Sequence, residues 1–159
     1  EIDKLGHEDL VYTTGEVVIH PCVNTVIPDF FDFSIDVRHE NPDVLNEVRK
    51  ILRSLPDKEW KGCKCEVVLG WNRDTVYWDK KLVGYVREAA EELGTKHMDI
   101  HSGAGHDAQY ISYMLPTTMI FVASKNGLSH CEEEYTTPEQ CTEGASVLLN
   151  AVLKCDKED

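Results

Sequence analysis

Along the first quarter of the chain, apolar and polar positions tend to alternate with a period of two. Leu10 to Thr13 and Val17 to His20 read as a strand, or as one bent strand broken at Gly15. Phe31 to Arg38 reads as a second strand, with Phe31, Phe33, Ile35 and Val37 on a buried face and polar residues on the other. Asn41-Pro42 then offers an N-cap followed by proline at the first helical position. Leu45, Val48, Ile51, Leu52 and Leu55 follow at helical spacing, which predicts a helix ending near Leu55, before Pro56. Cys65 to Leu69 reads as a further strand.

The pattern changes near Trp71 to Asp74, which marks a crossing into a second unit. From Asp79 a helix carries Leu82, Val86, Ala89, Ala90 and Leu93 on one face and stops at Gly94. A short helix is predicted over Gln109 to Met114, and a strand over the apolar run Thr118 to Ala123. The last helix has a capping box, with Thr137 as N-cap, Pro138 at the first helical position and Gln140 two residues later. Its expected apolar face is Ala145, Leu148, Leu149, Val152 and Leu153. Trp60, Trp71 and Trp78 are expected to cover the junction between the units.

Composition narrows the function. The 159 residues suffice for one ordinary core or two small ones. A formal net charge of -13 argues against nucleic acid and anionic membranes as partners, because phosphates are held mainly by Lys and Arg. Small molecules fit better, and no run approaches the roughly 20 apolar residues that span a bilayer. Six irregularly spaced cysteines do not make a secreted disulfide framework, so reduced thiols and a cytoplasmic setting are expected. Glu1 in place of a start methionine, and the acidic residues that follow, suggest a fragment or a processed piece.

The candidate chemistry lies in two loops beside the apolar run 118–123. Ser102-Gly103-Ala104-Gly105-His106-Asp107-Ala108-Gln109 is rich in small residues that let a backbone approach a ligand closely. Ser129-His130-Cys131 to Glu134-Tyr135-Thr136 places a second histidine four residues before a glutamate. Together they read as the edge of a hydrolytic site. Cys131 is a poor nucleophile candidate, since adjacent residues rarely present both side chains to one reacting atom. His20, His39 and His101 read as packing or surface residues, and His7 and His97 carry no signal.

These motifs, with the strand Phe33-Ser34-Ile35-Asp36-Val37-Arg38-His39, resemble the metal-dependent amidohydrolases: N-carbamoyl-L-amino-acid hydrolase, allantoate amidohydrolase and β-ureidopropionase, relatives of aminoacylases and zinc carboxypeptidases. The resemblance implies an α/β fold. Residues 1–72 would be part of a ferredoxin-like lid, or dimerisation, domain. Residues 73–159 would be the C-terminal segment of an α/β zinc-peptidase-like catalytic domain. A complete site of this kind holds two divalent ions (zinc, manganese, cobalt or nickel), of which this chain supplies one visible ligand, His130.

By the same resemblance Glu134 orients the His130 loop. His106 contacts the scissile amide and stabilises the tetrahedral intermediate, with Asp107 orienting it or capping the next helix and Gly105 beside the substrate. Arg38 binds the substrate carboxylate. The family pattern Asn-Val-Ile-Pro becomes Thr25-Val26-Ile27-Pro28 here, so either a bulge brings Asn24 into place or Thr25 contacts a different substrate. The implied reaction is cleavage of a C–N bond in an N-carbamoyl or related amino acid, in a homodimer joined through the lid. The isolated chain is expected to be inactive. The alternatives are a non-catalytic dimerisation or ligand-binding module, and an aminoacylase or dipeptidase.

Overall fold

The computed structural model describes residues 2–158, with side chains as far as Lys157. Glu1, which entered the sequence reading, lies outside them. The chain forms two compact units, residues 1–75 and 76–159.

In the first unit, β1 (Val11–Thr13) pairs antiparallel with β4 (Asp36–Arg38), and β2 (Val17–His20) pairs antiparallel with β3 (Phe30–Phe33). The expected bent strand is thus two strands, and the expected run Phe31 to Arg38 is also two. Residues 14–16 separate β1 from β2, whereas only Ser34 and Ile35 separate β3 from β4. One side therefore carries an extra residue, which a continuous ladder cannot absorb without a bulge. Ser34 spans the interruption: its N–H donates to Glu16 O at 3.0 Å and its Oγ accepts from Glu16 N at 3.1 Å.

Val17, Phe33, Ile19 and Phe31 lie on one face of the β2–β3 ladder, directly opposite in pairs. That face is uncovered rather than buried as expected, with Phe31 57% and Phe33 46% exposed.

Helix α1 (Pro42–Arg53) begins as its sequence dictates. Asn41 Oδ1 accepts from Asp43 N at 2.9 Å, and His39 Nδ1 accepts from Asn41 N at 2.9 Å. The helix stops at Ser54, so Leu55 falls beyond it, where its carbonyl accepts a 2.7 Å bond from Trp60 Nε1. Val44 and Val48 are the buried residues of α1. Cys65 to Leu69 forms no strand, because strand formation needs a ladder partner and the described residues supply none.

The second unit is built on α2 (Lys80–Glu92) against α4 (Pro138–Glu158). Asp79 caps α2 through a 2.9 Å bond from Leu82 N, and Gly94 takes the positive φ of 66° that ends it. Thr137 and Gln140 cap α4 reciprocally, at 3.2 and 3.0 Å. The core comprises Tyr85, Ala89, Ala90, Val147 and Ala151, with Leu82, Val86, Ile120 and Cys155 packed on it.

This corrects two expectations. Leu93 sits exposed at the C-cap of α2, and the buried stripe of α4 runs through Val147 and Ala151 while Leu148, Leu149, Val152 and Leu153 are exposed. Small side chains explain the choice, because alanines on both helices permit close approach where leucines would hold them apart. Gly144 of α4 lies directly against Val122. The run 118–123 has no ladder partner among the described residues and is not a strand. Helix α3 is shorter than expected, Ala108–Ser112. No helix of the described residues is long and apolar enough to cross a membrane.

Candidate functional site

The small residues 103–105 bring the chain back on itself so that Ser102 and His106 meet. Ser102 Oγ lies 2.6 Å from His106 Nε2 and also accepts from Ala104 N at 3.3 Å. From the other side, Gln109 Oε1 accepts from His106 N at 3.2 Å. The imidazole stands edge-on to the Phe121 ring, with centroids 5.4 Å apart. His106 is half-buried and held by three neighbours: Ser102 and Phe121 on the ring, and Gln109 through both its side chain and its own N–H, which donates to His106 O at 3.0 Å. Asp107 makes no side-chain capping bond to α3, which leaves the start of that helix to the Gln109 contact instead.

His130 lies in the loop that follows the run 118–123. Its φ of 58° is left-handed, a conformation uncommon outside glycine, though histidine is among the residues enriched there. Glu134 fixes the turn, since its Oε2 accepts from His130 N at 2.8 Å and its own N–H donates to Cys131 O at 3.1 Å. His130 Nδ1 faces Ser129 Oγ at 3.3 Å, so Nε2 is the nitrogen available to a ligand on this exposed ring. The loop is tied to the apolar run by Thr136 Oγ1 donating to Ala123 O at 3.0 Å and by Lys125 N donating to Tyr135 O at 2.7 Å.

The structure thus joins both loops to one stretch of the run, the His106 loop through Phe121 and the loop carrying His130 and Glu134 through Ala123. Among the described residues, no group of three or more His, Cys, Asp or Glu side chains is arranged to hold a metal ion. The donor set present does not fit a complete metal centre: Glu134 is spent on a main-chain N–H, and His130 stands as a single donor.

The remaining candidates lie in the first unit. Arg38 ends β4 and is exposed; its Nε donates to Asp36 Oδ1 at 2.6 Å, and this bond is the main cause that raises the guanidinium above the ordinary arginine value. Asn24 and Thr25 are the two central residues of a turn closed by Val26 N donating to Val23 O at 3.2 Å. That turn lies in the loop joining β2 to β3, so Asn24 is displayed by a turn rather than by a bulge. At the loop's base, His20 Nδ1 lies 2.8 Å from Asp29 Oδ1, and Asp29 N donates to His20 O at 2.9 Å. The sequence reading missed Ser102, Gln109 and Phe121 as the residues that hold His106. The available signal was a hydroxyl four residues before the histidine and an amide three after it.

Comparison with known proteins shows the family. Residues 6–154 match the family model described as peptidase family M20/M25/M40. An N-carbamoyl-L-amino-acid amidohydrolase from Rhizobium meliloti is 38% identical over 142 residues, covering 88% of this chain and 34% of the relative. An allantoate amidohydrolase from Bacillus subtilis (strain 168) is 34% identical over 149 residues, covering 92% and 36%. The solved structure of an amidase of the hydantoinase/carbamoylase family from Burkholderia multivorans is similar with a TM-score of 0.80 and 37% identity, covering 96% of this chain and 38% of that one. The chain spans little more than a third of the length of these relatives. With a family model matched over nearly its whole length, the chain belongs to peptidase family M20/M25/M40.

Proposed function

We propose that this chain is the substrate-polarising portion of an amidohydrolase that cleaves the C–N bond of an N-carbamoyl or related ureido amino acid. The observation that carries the reading is the attachment of both histidine loops to one apolar run, His106 through Phe121 and the His130 loop through Ala123. His106 donates a hydrogen bond to the carbonyl oxygen as negative charge develops there. Gly105 leaves room beside the amide. Arg38 holds the substrate carboxylate with its planar fork, and the turn carrying Asn24 and Thr25 contacts the substrate. Glu134 sets the His130 loop, and Asp107 orients His106.

Peptidases of this family generally use divalent metals. In this reading His130 gives one ligand to a zinc, manganese, cobalt or nickel ion, and the other ligands of a two-ion centre come from outside residues 1–159. Residues 1–72 are read as part of the lid and residues 73–159 as the closing segment of the catalytic domain, in a cytoplasmic homodimer. The uncovered face formed by Val17, Ile19, Phe31 and Phe33 supports a joining role for the first part.

That same face favours one second reading, a non-catalytic dimerisation module. The intact mass of the natural polypeptide separates the two. About 40 to 45 kDa, one catalytic domain plus a lid, is expected. A mass near 18.0 kDa would move the module reading to first place. In the natural polypeptide, His106→Ala should lower turnover of an N-carbamoyl-L-amino acid about 100-fold or more. Unchanged turnover, or appreciable metal-dependent turnover by the 159-residue chain alone, would defeat the proposal.

A further inference from the structure

We infer that Ser102 is a positioning residue that selects the tautomer of His106, so that the neutral imidazole presents Nδ1–H as a hydrogen-bond donor. The use of that donor rests on the function proposed above; the tautomer itself does not.

Three observations carry the inference. Ser102 Oγ sits 2.6 Å from His106 Nε2, so this nitrogen and no other ring atom meets the hydroxyl. The same oxygen already accepts a bond from Ala104 N at 3.3 Å. A serine hydroxyl has one proton to give, and Ser102 has no other acceptor among the described residues. If Nε2 carried the proton, Oγ would accept twice and its own proton would be left without a partner in a half-buried loop. Donation from Oγ to Nε2 gives the hydroxyl proton and the ring lone pair each a partner, and it puts the ring proton on Nδ1, where it is left for a ligand. Phe121 and the Gln109 contact to His106 N then hold the ring in place, so the orientation is built into the loop before any ligand arrives.

The chemical consequence is directional. An imidazole that must lend a proton to a developing oxyanion has to carry it on the nitrogen that faces the substrate. Ser102 fixes that choice by occupying the other nitrogen.

The test is long-range proton–nitrogen NMR on the uniformly nitrogen-15-labelled natural polypeptide, at a pH where His106 is neutral. His106 should show a protonated Nδ1 and an unprotonated Nε2. Ser102→Ala should shift it towards the Nε2–H form that free imidazole prefers in water, and Ser102→Thr, which keeps the hydroxyl, should retain the wild-type pattern. If Ser102→Ala disorders the loop, the wild-type and threonine spectra still decide the matter. Protonated Nε2 in the wild-type chain would overturn the assignment, as would an alanine spectrum identical to it. Such a failure would leave the hydrolase reading standing, whereas loss of that reading by mass or turnover would leave the tautomer result intact.

Discussion

Replacing Gly144 by alanine is the sharpest test of how α4 is seated. In an exposed helix interior the change stabilises by about 1 kcal/mol, since glycine is the poorer helix former. Here the added Cβ would fall inside the contact distance of Val122 Cγ1, while Val122 Cβ would stand 3.8 Å away. The clash is with one methyl group of a β-branched residue that is stiff about χ1. Turning that side chain off its rotamer costs roughly 0.5–1.5 kcal/mol, and pushing the helix outward strains the packing of Val147 and Ala151 at a cost of about 1–3 kcal/mol. The net effect should be a loss of about 1 kcal/mol. Urea unfolding followed by helical circular dichroism measures it directly. In a Val122→Ala background the obstructing methyl is gone, and Gly144→Ala should then stabilise by about 1 kcal/mol. A gain of stability from the single substitution in the natural background would refute the close seating.

Asp79→Ala removes the cap on α2 and should cost about 1 kcal/mol in the same assay, with Asp79→Ser largely restoring it. The Glu139 carboxyl is held below its usual value of 4.5, first by its own backbone N–H and then by the Thr137 hydroxyl. Because the folded state favours the charged form, this contribution is present above about that value and is lost as pH falls through the lowered folded value. The urea midpoint of the wild-type chain should therefore fall more steeply on acidification than that of Glu139→Gln, and parallel curves would exclude the effect. At position 130 the left-handed backbone predicts that glycine is accepted with no loss of stability while valine costs about 1–2 kcal/mol; equal melting curves for the two variants would argue against that geometry.

Local chemistry was legible in the sequence, and distant partnership was not. Asn41, Asp79 and the Thr137–Gln140 pair announce helix starts because a cap needs only residues within one turn. Cys65 to Leu69 and Thr118 to Ala123 have the composition of strands, but a strand is defined by a neighbour, and their own residues say nothing of whether one is present. The break at Ser34 and Ile35 escaped notice because alternation continues through it; only the pairing with residues 14–16 reveals the extra residue. On α4 the large leucines drew attention to the wrong stripe, since closeness to α2 was decided by alanines. The histidine loops stood out as chemistry because their spacing is unusual. Ser102 did not, because a serine acquires a role only when the loop folds back to its neighbour.

The backbone at His130 also bears on how such a chain would change over generations. A loop indifferent to imidazole would settle on glycine or asparagine at a left-handed position, where either residue sits more easily. Histidine is tolerated there but less easily, and in the proposed function its ligand role is what holds it in place. In a lineage that had lost the need for this group, position 130 would be among the first to drift, and Glu134, whose carboxylate serves the same turn, would follow it. If the proposed function holds, the pair is a marker of its retention that can be read from sequence alone in any descendant of this chain.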